Sequence, residues 1–300
     1  MSILLSSTLD VVRKEFALKP PTWSTGHTLT KTEDAYLRKE CTTESEFDPH
    51  NRRRTMYQNM MNGAATVVKK VCPYGTVIAI LEHPEQYEDI PWELWARILR
   101  MYTDEGHPPF VVYLLANTHL RTFPSGRQPI TANNMNGRHP ITPNNINGGY
   151  TYPCNRQSII IYRAEDATRV LLHELMHSCC LDDPALDIDR VEAATEAWAE
   201  LMYVALLSQG KGREFSTLLH IQSIWMIKQD EIVRKHMQDP NSMEFPWRYT
   251  IGKEELWRKW NILRELPLVR VSVGNSLRLT CPPSAALKSR FHVRQESTIL

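Results

Sequence analysis

No stretch of this chain approaches the roughly 18 consecutive apolar residues that a bilayer-spanning helix requires. The opening MSILLSSTLDVVRKEF lacks both the basic start and the long apolar centre of a secretory leader. Neither a membrane span nor a secretory route is therefore expected. An excess of one charge is missing as well. Lys and Arg number 35 against 34 Asp and Glu, which gives no electrostatic ground for nucleic acid or an anionic membrane as a principal partner. The one basic run, Arg52-Arg53-Arg54, is read as a solvated helix start. There is no Asn-x-Ser/Thr glycosylation signal with a permissive middle residue, in keeping with an intracellular protein. The cysteines are Cys41, Cys72, Cys154, Cys179, Cys180 and Cys281. They are spread without a disulfide framework, and a core of this size does not need cross-links. They are expected to be reduced, with the adjacent Cys179 and Cys180 read as small buried hydrophobes rather than redox-active groups.

What is present is a hydrophobic fraction of 42% over 300 residues, enough for one large domain with a substantial core. Residues 1–50 show little periodicity and are expected to form an irregular arm with a short helix near EDAYLRKE. A single domain over 51–280 follows, and residues 281–300 read as a loose polar tail. RRRTMYQNMMNGAATVVKKV, from 52 to 71, has helical spacing. TVIAIL (76–81), PFVVYLLAN (109–117) and QSIIIY (157–162) read as buried strands, with a helix in PWELWARILRMYTDEG between the first two. A turn-rich stretch carries Pro-Ile-Thr-x-Asn-Asn-x-Asn-Gly at 129–137 and again at 140–148. Two copies are too few for a solenoid, so the stretch is either a cleft rim or lid or a surface duplication. Helices are expected over about 166–178, 189–208, 213–237 and 253–265, with Asp187 or Asp189 capping the second and Gly210 stopping it. The result is an α+β protein with a sheet-containing part over about 70–165 and a helical part over about 166–270.

The chemistry is concentrated in RVLLHELMHSCCLDD, residues 169–183. With 11 His in the chain, a His-Glu-x-x-His match is expected by chance only about 0.03 times in this length. Residues four apart project from one helix face, so His173 and His177 can reach a single ion, while Glu174 lies about 100° around and is free to hold a water. Apolar residues wrap the rest of this helix, which must lie inside the protein. A third ligand is needed. RVEAATEAWAELMYVALL sets Glu192, Glu196 and Glu200 on one stripe of the next helix. Glu196, between Thr195 and Ala197 and 19 positions after His177, is the most enclosed by sequence. Glu192 and Glu200 are read as hydrogen-bond partners of the imidazoles or of arginines.

HELMH followed by TEAWAE resembles the gluzincin branch of the zincin metallopeptidases. More narrowly, SIIIYRAEDATRVLLHELMHSCCLDD with EAATEAWAEL is similar to zincin-type metallopeptidases encoded by large DNA viruses, over roughly residues 157–208. The resemblance implies a zincin-like fold in which a small mixed sheet lies over the active-site helix and a sheet edge runs along the substrate cleft. PFVVYLLAN would be one of its strands. It implies Zn2+ held by His173, His177 and Glu196, and hydrolysis of a peptide or protein substrate with Glu174 as general base. It also implies a place in a host cytoplasm or a virion. Tyr203, on the stripe of Glu196, and Tyr249 are candidates for steadying the developing oxyanion, though neither has a motif behind it. Asp183, ten positions after His173, is the rival third ligand of a metzincin-type site. It would need a tight turn with Cys180 where a glycine is favoured. If Glu196 is the ligand, Asp182 and Asp183 become caps or hydrogen-bond partners between the helices. The competing reading is a catalytically inactive structural or particle-associated protein with a structural zinc.

Overall fold

The computed structural model describes residues 2–26, 28–128, 137–243, 245–263, 271–284 and 287. Its strands are β1 (Ser24–Thr25), β2 (Thr66–Cys72), β3 (Gly75–Leu81), β4 (Phe110–Ala116), β5 (Gly149–Tyr150) and β6 (Ile159–Ile161). Its helices are α1 (Ile3–Ala17), α2 (Lys31–Thr42), α3 (Arg52–Met61), α4 (Gln86–Asp89), α5 (Trp92–Met101), α6 (Pro143–Ile146), α7 (Ala167–Ser178), α8 (Ile188–Leu207), α9 (Gly212–Val233), α10 (Phe245–Tyr249) and α11 (Ile251–Lys259). The strands form one open sheet in the order β1-β2-β3-β4-β6-β5. The centre is parallel, β3 with β4 and β4 with β6, while β1, β2 and the edge strand β5 pair antiparallel with their neighbours.

The near-continuous apolar runs of β3 and β4 follow from burial on both faces. Side chains alternate across the sheet. Val77, Ala79, Val112, Leu114, Ile159 and Ile161 join the core built by α1, α5, α7, α8, α9 and α11. Ile78, Ile80, Tyr113, Leu115 and Ile160 pack against Leu37 and Cys41 of α2 and Met56 and Tyr57 of α3. A third cluster, with Phe123, Ile146, Trp225 and Tyr249, binds the segment after β4 to α9 and α10. No helix among the described residues is long and apolar enough to cross a membrane.

Several local expectations change. The first fifty residues are not an irregular arm: α1 buries Leu5, Leu9 and Val12, and α2, capped by Thr30 and Glu33 in a capping box, contains the EDAYLRKE segment. The helical spacing of 52–71 holds to Met61, then gives way to strand β2. Gly63 at φ 71° turns the chain there, and β-branched Thr66, Val67 and Val68 pair with β3 instead of continuing the helix. Arg52 and Arg53 are buried, not solvated. Their backbone N–H groups donate to the two carboxylate oxygens of Asp48, each at 3.0 Å. Most of the first copy of the nine-residue repeat, 129–136, and most of the tail lie outside the described residues. The second copy is packed structure. Its Asn144 side chain accepts from Arg52 at 2.5 Å, and the Ile146 carbonyl accepts from Arg121 Nε at 2.6 Å, so its last residues lead rigidly into β5. Cys154 and Cys180 form a disulfide rather than remaining reduced.

Candidate metal centre

Strand β6 feeds α7 through Arg163–Asp166, and the helix starts at Asp166, whose φ of 59° is in the left-handed region and whose carboxylate meets Arg278 at 2.5 Å. One face of α7 enters the core through Leu171, Leu172 and Leu175. Another presents Arg169, His173 and His177, one per turn, to α8. Asp187 caps α8 by accepting from the Arg190 N–H at 2.9 Å.

The two helices run antiparallel, and their stripes pair as a ladder. Arg169 bonds Glu196, with NH1 to Oε1 at 2.9 Å, and its Nε lies 3.7 Å from Glu200. His173 stands one rung along, with Nδ1 3.0 Å from Glu196 Oε1 and Nε2 3.3 Å from Glu192 Oε2. His177 is at the open end. Its Nε2 lies 3.8 Å from Glu192 Oε1, and its Nδ1 lies 2.8 and 2.9 Å from the oxygens of Asp182. The two Nε2 atoms face each other at 3.0 Å.

This register revises the choice of third carboxylate. Glu196 sits behind His173, shared with a buried arginine, and Glu200 is paired with Arg169 and with Lys253 at 3.3 Å and accepts from the Thr280 hydroxyl at 3.1 Å. Glu192 is the acid that meets both Nε2 atoms. Among the described residues, His173, His177 and Glu192 are the group whose ligand atoms gather within 4.8 Å of one another. Asp183 is exposed, and its Oδ1 accepts from the Ala185 N–H at 2.9 Å, as a loop cap. Cys180 does take the left-handed turn, at φ 57°, that its side chain disfavours, yet the turn delivers Asp182 to His177 and leaves Asp183 outside. Tyr203 lies about three turns along α8 from Glu192, beside the charges of Asp166 and Arg278. Tyr249 lies in the same cavity as the cluster.

The electrostatics suit a cation. Burial, only partly offset by the hydrogen bond to Glu192, pushes His173 down to about 4, so its imidazole is neutral at ordinary pH. Burial would raise Glu192, but the hydrogen bond and charge of His173, with His177 and Arg248, hold it below the usual carboxylate range. With the Nδ1 proton of His177 directed at Asp182, its Nε2 turns a lone pair toward His173 Nε2, and the Glu192 carboxylate stands 3.3 and 3.8 Å from the two Nε2 atoms. Two imidazole nitrogens and a carboxylate held this close suit a cation among them. The residues therefore fit a divalent ion of the zinc class, with two imidazole nitrogens and one carboxylate oxygen as donors.

Glu174 is buried beside this cluster, and burial together with the negative charge of Glu192 raises its carboxyl well above the usual value. The shared cavity, about 430 Å³, is bounded on one side by α7 and α8 and on another by β5. Gly149 of β5 is required there: a Cβ would lie 2.5 Å from Val170 Cγ1, 2.9 Å from the Ile160 carbonyl and 3.1 Å from Glu174 Oε1. The facing wall comes from the N-terminal segment. Arg53 NH1 donates to the Glu40 carbonyl at 2.6 Å and to the Tyr150 hydroxyl at 2.5 Å, and that hydroxyl donates to the Glu40 carboxylate at 2.8 Å.

No protein-family model, curated protein or solved structure matches this chain. The functional reading thus stands on the site's own chemistry. Sequence reasoning missed Glu192 as the inner carboxylate and the pinning of the cleft wall by Arg53. One signal for the first was available in Arg169, four residues before His173 on the same stripe. A buried arginine there must claim acids on the facing helix, and the claim falls on Glu196 and Glu200.

Proposed function

We propose that this chain is a zinc-dependent peptidase of zincin type, with His173, His177 and Glu192 holding the metal and Glu174 serving as general base. The observation that carries the reading is the gathering of His173, His177 and Glu192 ligand atoms within 4.8 Å of one another, with Glu174 buried beside them. The mixed sheet, with its antiparallel edge strand beside the site, supports the zincin assignment and the reading of the cleft as a place for an extended peptide.

When bound, zinc supplies a Lewis acid that polarises a carbonyl and lowers the pKa of water toward roughly 7. The chain's own residues do the rest. Asp182 holds the His177 proton on Nδ1, and Glu196 places its negative charge 3.0 Å behind His173. Glu174 accepts a proton from the attacking water and delivers it to the departing amine. Burial raises the Glu174 carboxyl, and a dication held by His173, His177 and Glu192 would favour its ionised form. Tyr249 is kept protonated by burial and by Glu192 and Glu174, so it can donate its hydroxyl proton to a developing oxyanion. Among the described residues β5 is the edge strand of the sheet, and an extended substrate can lie along it.

The test is Glu174→Gln compared with the wild type, for metal content and for cleavage of a random peptide pool. The expected result is about one zinc per chain in both proteins and loss of cleavage by at least about 10²-fold in the variant. Full activity of Glu174→Gln would overturn the role of Glu174. Bound zinc with no turnover by the wild type on any pool would replace the peptidase reading with a structural zinc.

A further inference from the structure

The disulfide between Cys154 and Cys180 lies outside the metal cluster but at its back. Cys180 follows the last turn of α7, and Cys154 lies in the loop between β5 and β6. Both have left-handed backbones, at φ 57° and 61°, a conformation that a non-glycine side chain disfavours. Their Cα atoms are 4.8 Å apart. The carbonyl of His177 accepts from the N–H groups of both, at 2.9 Å from Cys154 and 3.1 Å from Cys180. The cross-link thus closes a ring around the turn that carries His177 and leads on to Asp182. Both cysteines are exposed, so an external thiol can reach the bond. The adjacent Cys179 is turned inward, its Sγ 3.6 Å from the Tyr102 carbonyl, and burial pushes its thiol up, which keeps it a poor nucleophile. Cys41 and Cys72 are buried elsewhere.

We propose that Cys154 and Cys180 form a thiol–disulfide exchange site that a dithiol reductant opens and that fastens the edge-strand loop to the His177 turn. One thiolate of the dithiol attacks a sulfur of the pair, breaking the S–S bond and forming a mixed disulfide. The second thiol displaces it, so that two electrons and two protons pass to Cys154 and Cys180 and the reductant leaves as its own disulfide. Once open, the two left-handed residues lose their covalent tie. The hydrogen bond from Cys154 to His177 then depends on the loop alone, and the loop and the α7 terminus relax. The exchange site does not rest on the metal reading, because its chemistry and its readout involve no metal.

The test uses the native full chain, purified in air. Free thiols are blocked with a light alkylating reagent, the protein is treated with millimolar dithiothreitol without denaturant, and a heavy reagent is added before peptide mapping. The heavy label is expected at Cys154 and Cys180. Amide hydrogen exchange over 150–156 and 177–182 is expected to rise about tenfold or more on reduction, with the middle of α8 unchanged, and to return on reoxidation. Cys154→Ser is expected to show the fast rates with or without reductant. Light label on Cys154 or Cys180 before reduction, a bond that resists reduction until the chain is denatured, or exchange rates indifferent to reduction would each overturn the proposal. The labelling of the wild-type chain decides the matter even if the variant fails to fold.

Discussion

Replacing Glu192 by alanine is expected to weaken zinc binding by at least about 10²-fold, because a metal centre that loses one of three protein ligands loses its coordination. Glu196→Gln keeps the volume but removes the charge beside His173 and Arg169, so a smaller loss, about tenfold, is expected from weaker orientation of the imidazole. Asp183→Ala should leave affinity unchanged, since its carboxylate caps Ala185. Competition with a chromophoric chelator on the three variants ranks them directly. A loss in Glu196→Gln exceeding that in Glu192→Ala would return the ligand role to Glu196. The ranking also shows what the sequence holds and what it does not. His173 and His177 were legible because helix periodicity alone puts them on one face. The third carboxylate was not, because three glutamates share one stripe at intervals of four. Which of them meets the imidazoles depends on how far α8 slides along α7, a tertiary quantity.

At the scale of elements, β5 is two residues long and decides how closely the sheet edge approaches α7. Gly149→Ala puts a methyl group against the Ile160 carbonyl, backbone that cannot rotate away, and against Val170 and Glu174 of α7. Overpacking of this kind costs typically 1–3 kcal/mol. A lower melting temperature together with reduced kcat is expected, since the relief lies in moving β5 or Glu174. An unchanged melting temperature and unchanged turnover would mean that β5 does not sit against α7 as described. The central strands were readable from their composition, because burial on both faces leaves a continuous apolar run. Strand β2 was not. Its half-exposed residues, Val67, Lys69 and Val71 among them, carry no long apolar signal, and its identity comes from the seven-residue pairing with β3.

Across the whole molecule, the first fifty residues do two jobs that their weak periodicity concealed. Leu5, Leu9 and Val12 of α1 enter the main core, and Leu37 and Cys41 of α2 cover the other face of the sheet. Glu40 is bonded to Tyr150, and its segment forms the wall opposite Glu174. The periodicity is weak because α2 buries little beyond Leu37, Glu40 and Cys41, and its capping box, not its apolar content, marks it as a helix. A chain beginning at Asn51 would expose the outer sheet face and leave Arg53 without the Glu40 and Thr43 carbonyls to which it donates. Losing several buried Leu-sized side chains at about 1.5–3 kcal/mol each is comparable to the whole 5–15 kcal/mol that holds a typical domain. The shortened chain is expected to lose its cooperative thermal transition, and added zinc is not expected to restore it. Mass action at one site contributes only about 4 kcal/mol even at a thousandfold excess over Kd. Calorimetry of the full and shortened chains, each with and without zinc, checks this. A shortened chain that still unfolds cooperatively would show that α1 and α2 are dispensable to the core, and that the cleft wall can be removed without unfolding the site behind it.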